Sequence, residues 1–134
     1  MLTLVIDKVA WILLRDKRVL GTRSKGKDTF YLPGGKREPG ESDVDTLVRE
    51  IAEELSVLVD RESAVPVGVF EAQAHGHASG TIVRMSCYTA SFSGNLAAAN
   101  EIEELAWLTL ADRDRVSPVD RIIFAHLHEK GLLE

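Results

Sequence analysis

Residues 35–57 read GKREPGESDVDTLVREIAEELSV, and this stretch decides the fold. Ser42 is a good N-cap, and Asp43 and Asp45 suit the positive end of a helix dipole. From there Val44, Leu47, Val48, Ile51 and Leu55 recur at helical spacing, a stripe that faces a core. Glu50, Glu53 and Glu54 stand at i, i+3 and i+4 and share a different face. Like charges so placed repel by roughly 0.2–0.5 kcal/mol per pair in an isolated helix. Arg49 neutralises part of this charge. A hard divalent cation such as Mg²⁺ would neutralise more, because it prefers oxygen ligands and takes few carboxylates together with substrate phosphates. The loop ahead of the helix, Gly34 to Glu41, adds flexible backbone and the carboxylates Glu38 and Glu41.

The spacing of these residues resembles the Nudix box, G-x5-E-x7-R-E-U-x-E-E-x-G-U, where U is a bulky aliphatic residue. Gly35, Glu41, Arg49-Glu50-Ile51, Glu53-Glu54 and Val57 fall in register. Ser56 departs, standing where the family has a glycine suited to a left-handed turn at the helix end. The likeness extends beyond the box. Leu32-Pro33-Gly34-Gly35 resembles the usual lead-in, Phe30 stands where many members carry Trp, and Glu101 precedes Trp107 in a run similar to the family's later segment.

The resemblance implies an α/β fold, the Nudix α/β/α sandwich with a mixed β-sheet between helices. It also implies an enzyme that cuts a nucleoside-diphosphate-linked substrate with Mg²⁺, for which Mn²⁺ can substitute. By the same likeness the metal ligands are Glu50, Glu53, Glu54, the Gly35 carbonyl and Glu101, with Glu103 and Glu104 as competitors for the last place. Glu53, Glu50 and Arg49 form the catalytic group, with Glu53 divided between ligand and base and Arg49 orienting the carboxylates. Arg23, Gly34, Glu41 and Phe30 are the expected substrate-side residues, joined by Lys25, Lys27 and Tyr31 as weaker candidates. A short chain of this kind resembles the MutT-like members acting on (deoxy)nucleoside triphosphates, including oxidised ones. The rival substrates are ADP-ribose and nucleotide sugars. The proline that many ADP-ribose members carry about 15 residues past the box is absent, and Ala72 and Gln73 stand there. A non-catalytic nucleotide-sensing module is the alternative class, but such modules lose box glutamates, and here all are present.

Outside the box, Val9–Leu14 and Val19–Leu20 flank the polar tip Arg15–Arg18 and read as a β-hairpin. Phe30–Leu32 is a short strand stopped by Pro33-Gly34-Gly35, and Lys36–Glu41 is a loop. Val65–Ala72, Thr81–Phe92 and Leu105–Leu110 read as strands, and Val119–Leu133 as a helix broken near Gly131. His75 and His77 lie in a Gly-rich turn and are expected to face solvent, for lack of a third soft ligand nearby. Trp11 and Trp107 are expected in the core.

The 134 residues fit one domain, 1–134, with no repeat or linker. With 16 basic and 21 acidic side chains the net charge is −5, which disfavours nucleic-acid binding but does not exclude a small anionic substrate, the nucleotide-type partner that the resemblance implies. The apolar start is interrupted by Asp7 and Lys8, so neither a signal peptide nor a membrane span is expected. The expected location is the cytoplasm. The single cysteine, Cys87, is expected to be a buried thiol. The apolar N-terminal strand offers an edge on which a second copy could form a homodimer.

Overall fold

A computed structural model describes residues 4–74 and 80–134. His75 and His77 lie outside them. The chain runs β1 (Leu4–Trp11), β2 (Leu14–Arg15), β3 (Arg18–Ser24), β4 (Phe30–Tyr31), β5 (Gly34–Lys36), α1 (Asp43–Leu55) and β6 (Leu58–Val59). Then come β7 (Val65–Gln73), β8 (Thr81–Thr89), β9 (Phe92–Ser93), β10 (Ile102–Leu108), a short 3-10 helix at Leu110–Arg115, and α2 (Pro118–Glu129).

β1 explains the architecture. Side chains alternate along a strand, and here both faces are buried. Val9 and Trp11 pack with Leu47, Ile51 and Leu55 of α1, whereas Ala10 and Ile12 pack with Val119, Ile123, Phe124 and Leu127 of α2. That two-sided burial is why residues 9–14 are continuously apolar rather than alternating. The result is an α/β/α sandwich with a mixed sheet in the order β5-β1-β8-β7. In it β1 runs parallel to β8 and antiparallel to β5. A second sheet, β10-β3-β2, carries β4 alongside β3.

Three local expectations are corrected. The hairpin partner of β3 is β2, not β1, because Leu14 pairs with Val19 across the Asp16-Lys17 turn while β1 belongs to the other sheet. Gly34–Lys36 is a strand, not a stop and a loop, because it pairs with Lys8–Ala10. The long strand ends at Thr89, and Phe92–Ser93 turns away to pair with Leu58–Val59. β1 is covered on both sides from Lys8 to Ala10, so only Leu4–Asp7 retains an open edge. No helix among the described residues is long and apolar enough to cross a membrane.

α1 begins as its sequence dictates. Ser42 accepts from the Asp45 amide at 3.1 Å, and Asp45 accepts from the Ser42 amide at 3.0 Å, a closed capping box. Its far end is held by the segment after β9. The Ser56 amide reaches Ala52, the Asn100 side-chain amide donates to the Glu53 carbonyl at 2.7 Å, and the amides of Ala99 and Ala97 donate to Glu54 and Leu55, each at 3.0 Å. All four terminal carbonyls therefore have partners.

Candidate active site

The face of α1 that bears the glutamates looks onto β5, and glycines make the close approach feasible. Gly34 adopts φ +147, and a Cβ there would lie 2.0 Å from the Val9 carbonyl oxygen, so no side chain fits. Its amide donates to Glu54 Oε1 at 3.1 Å. A Cβ on Gly35 would lie 2.5 Å from the Glu50 carboxyl carbon. The two glycines thus form a floor against which Glu50 and Glu54 lie.

Arg49 ties the preceding loop to the helix. Its guanidinium grips Glu41 through two bonds of 2.7 and 2.8 Å, donates to Glu50 Oε1 at 2.9 Å, and reaches the Lys36 carbonyl at 3.0 Å. Glu41 also accepts from the Thr46 hydroxyl at 2.9 Å and from the Glu38 amide at 2.8 Å. The Arg49 bond, aided by the Glu38 amide, holds the Glu41 carboxyl down at about 2, and Glu41 in turn raises the Arg49 pKa. Arg37 braces the same loop by pairing with Asp43, which also accepts from the Tyr88 hydroxyl at 2.6 Å.

The box carboxylates behave differently from Glu41. Burial pushes Glu54 up to about 8, and the charges of Glu50 and Glu101 push the same way. Burial also raises Glu50, against Arg49 and with help from Glu53 and Glu101. Glu53 is exposed and lies 3.7 Å from Arg49. Glu101 is therefore the downstream carboxylate whose field acts on the box. Glu103 and Glu104 instead pair with Arg23, at 3.8 and 3.0 Å. Among the described residues no three such groups close into a metal cage. Glu50 and Glu54 lie side by side against the glycine floor, and the charge of Glu101 acts on both. The mutual repulsion of these carboxylates is what a hard divalent cation would relieve.

Two cavities of about 190 and 230 Å³ adjoin this floor and share Lys8, Tyr31 and Met85. Glu54, Gly34 and Gly35 line the first, and Lys36, Ser117 and Val119 line the second. Phe30 does not join them. It is 2% exposed, packed in the core with Arg115 over its ring, so the aromatic open to the cavities is Tyr31. Arg23 is engaged by two carboxylates and by the Lys27 carbonyl at 2.8 Å, and Lys25 and Lys27 are exposed on the surface loop. Trp11 is fully buried, whereas Trp107 is half-buried beneath Arg15. Cys87 is buried, and burial raises its thiol to about 12.

Sequence reasoning missed Lys8, which interrupts an apolar strand, and Asp120. Asp120 is fully buried at the start of α2, accepts from Ser117 at 2.7 Å, and is pushed by burial to about 7. Its Oδ1 has no hydrogen-bond partner among the described residues. The pattern Ser117-x-x-Asp120 before an apolar run was the available signal.

A sandwich whose carboxylate-bearing helix faces a glycine floor beside a cleft is the frame of a phosphoanhydride hydrolase. The NUDIX domain family model matches residues 6–127, and the chain belongs to that family as a Nudix-type pyrophosphohydrolase. Over 108 residues it is 32% identical to the CTP pyrophosphohydrolase of Escherichia coli K12, covering 77% of this chain and 75% of that one. Its fold matches the solution structure of the E. coli ORF135 protein with a TM-score of 0.72 at 28% identity, over 94% of this chain and 92% of that one. It matches the MutT NUDIX hydrolase of Burkholderia pseudomallei with a TM-score of 0.73 at 26% identity, over 90% and 96%. Members of the family generally use a divalent metal and act on small nucleotide substrates.

Proposed function

We propose that this chain, acting as one domain, is a Mg²⁺-dependent pyrophosphohydrolase of nucleoside triphosphates. The observation that carries the reading is the placing of Glu50 and Glu54 against the Gly34–Gly35 floor, within the field of Glu101 and beside cavities sized for a nucleotide's ring. Glu50, Glu54, Glu101 and the Gly35 carbonyl would hold the metal, with Glu53 at its solvent side. The metal supplies charge neutralisation on the phosphates and a more acidic bound water. The chain's residues do the rest. Arg49 fixes Glu50 and the Glu41 loop at once, Gly34 orients Glu54 through its amide, and exposed Glu53 can accept the proton of an attacking water. The similarity to a CTP pyrophosphohydrolase makes CTP the first substrate to examine, with oxidised deoxynucleotides next.

The test is release of nucleoside monophosphate, with pyrophosphate from the triphosphates, in Mg²⁺ from CTP, the other nucleoside triphosphates, oxidised dGTP, ADP-ribose and nucleotide sugars. Triphosphate turnover that falls at least a hundred-fold in Glu53→Gln or Glu54→Gln is expected. Preference for ADP-ribose would move the substrate class. Activity that survives both substitutions would overturn the assignment.

A further inference from the structure

Lys8 is a cation in an unusual place. Alternation along β1 puts it on the same face as Ile6 and Ala10, toward α2, and it lines both cavities. Its Nζ lies 5.6 Å from the centre of the Tyr31 ring. Strand register sets it directly opposite Lys36, which lines the second cavity too. Like charges directly opposed on antiparallel strands destabilise the pair. Among the described residues neither lysine forms an ion pair. Lys8 lines one cavity together with Glu54 and the other together with Ser117 and Val119, so it lies between the box helix and the start of α2.

We propose that Lys8 is a specificity-determining residue that donates a hydrogen bond to a ring carbonyl oxygen of the substrate base. It favours cytosine, uracil and guanine over adenine, which has no such oxygen. The inference rests on the nucleotide-hydrolase reading above and adds the base class. The lining decides between base and phosphate. Ile6, Ala74, Val83, Met85 and Val119 with the Tyr31 ring give the second cavity an apolar, aromatic wall that suits a flat heterocycle, and Lys8, Lys36 and Ser117 supply polar groups for its edge. The phosphates would lie instead at the glycine and carboxylate end of the first cavity, where a divalent cation held by the carboxylates would neutralise them. An ammonium has three donors and no acceptor. It is satisfied by a carbonyl oxygen and opposed by the amino group of adenine. A charge-assisted bond of this kind is worth about ten-fold to a hundred-fold in discrimination.

The experiment compares kcat/KM for CTP, UTP, GTP and ATP in the wild type, Lys8→Met and Lys8→Arg. The ratio of CTP to ATP is expected to fall about ten-fold or more in Lys8→Met, and Lys8→Arg is expected to keep most of the preference. Equal losses on all four substrates would assign Lys8 to phosphate binding or to the fold and overturn the inference, as would an unchanged ratio. A second arm measures metal-free binding of CMP and AMP by NMR titration. A CMP preference that Lys8→Met removes upholds the inference even if no triphosphate is hydrolysed. Absence of that preference in the wild type sinks it even if hydrolysis is robust.

Discussion

The raised pKa of Glu54 makes a quantitative demand on stability. Its ordinary value is 4.5, and burial, with Glu50 and Glu101, moves it to about 8 in the folded, metal-free chain. The native state therefore holds this proton more tightly than the unfolded state does, so stability falls as pH rises from about 4.5 and levels off above about 8. Each unit in that window costs about 1.4 kcal/mol, a total on the order of 4 kcal/mol by pH 8.5. Glu54→Gln keeps an oxygen to accept the Gly34 amide and carries no charge at any pH, so it removes the slope. At roughly 3 °C per kcal/mol, the variant's Tm advantage should grow by on the order of 10 °C between pH 5 and pH 8.5.

The assay is thermal unfolding by circular dichroism in EDTA, wild type beside Glu54→Gln, across that range. Adding Mg²⁺ to about 100 times its Kd should then return about 2.7 kcal/mol to the wild type and much less to the variant. Parallel pH profiles would refute the reasoning. They would mean that Glu54 is as well solvated in the folded chain as in the unfolded one, and the buried carboxylate site would lose its energetic basis.

Gly35→Ala should lower kcat/KM by about a hundred-fold, because a Cβ 2.5 Å from the Glu50 carboxyl forces that group aside by about an ångström. Its Tm should barely change, since Gly35 does not occupy the left-handed region. Ser56→Gly should raise stability by about 1 kcal/mol, read in urea unfolding, because Ser56 sits at φ 63. Asn100→Gly tolerates the left-handed φ of 53 and deletes only the 2.7 Å bond to the Glu53 carbonyl. It should cost about 1 kcal/mol by the same measurement and reduce activity by loosening Glu101.

The helix, its cap and its charged face were legible because each follows from local spacing. So was the burial of Trp11, whereas Ser56, where the family has a glycine suited to a left-handed turn, keeps that conformation at φ 63 although serine could have shifted the exit of the chain. What the sequence hid depends on pairing between distant strands. Nothing local says that Lys8 meets Lys36, or that the apolar run at residues 9–14 divides between two sheets. Phe30 and Tyr31 are adjacent aromatics, and only strand alternation beside Arg115 and β3 decides that Phe30 goes inward and Tyr31 lines the cavities. Arg23 looked free for phosphate until β10 brought Glu103 and Glu104 against it. The same pairing separated Glu101 from its two acidic neighbours.

The segment from Ala97 to Glu101 joins these observations into one device. Helix ends leave four carbonyls without partners. In α1 three of the four are met by Ala97, Ala99 and Asn100, residues some forty positions further along the chain. The next residue is Glu101, whose own carbonyl accepts from the Lys25 amide at 2.8 Å. The contact that finishes the helix thus also fixes the backbone next to Glu101, whose charge acts on Glu50 and Glu54. This explains how serine can stand at the box position usually given to glycine. Its conformational cost is local, while the helix end is secured by bonds from elsewhere. It also means that stability at the end of α1 and acidity in the site are coupled, so a change at Asn100 must register in both.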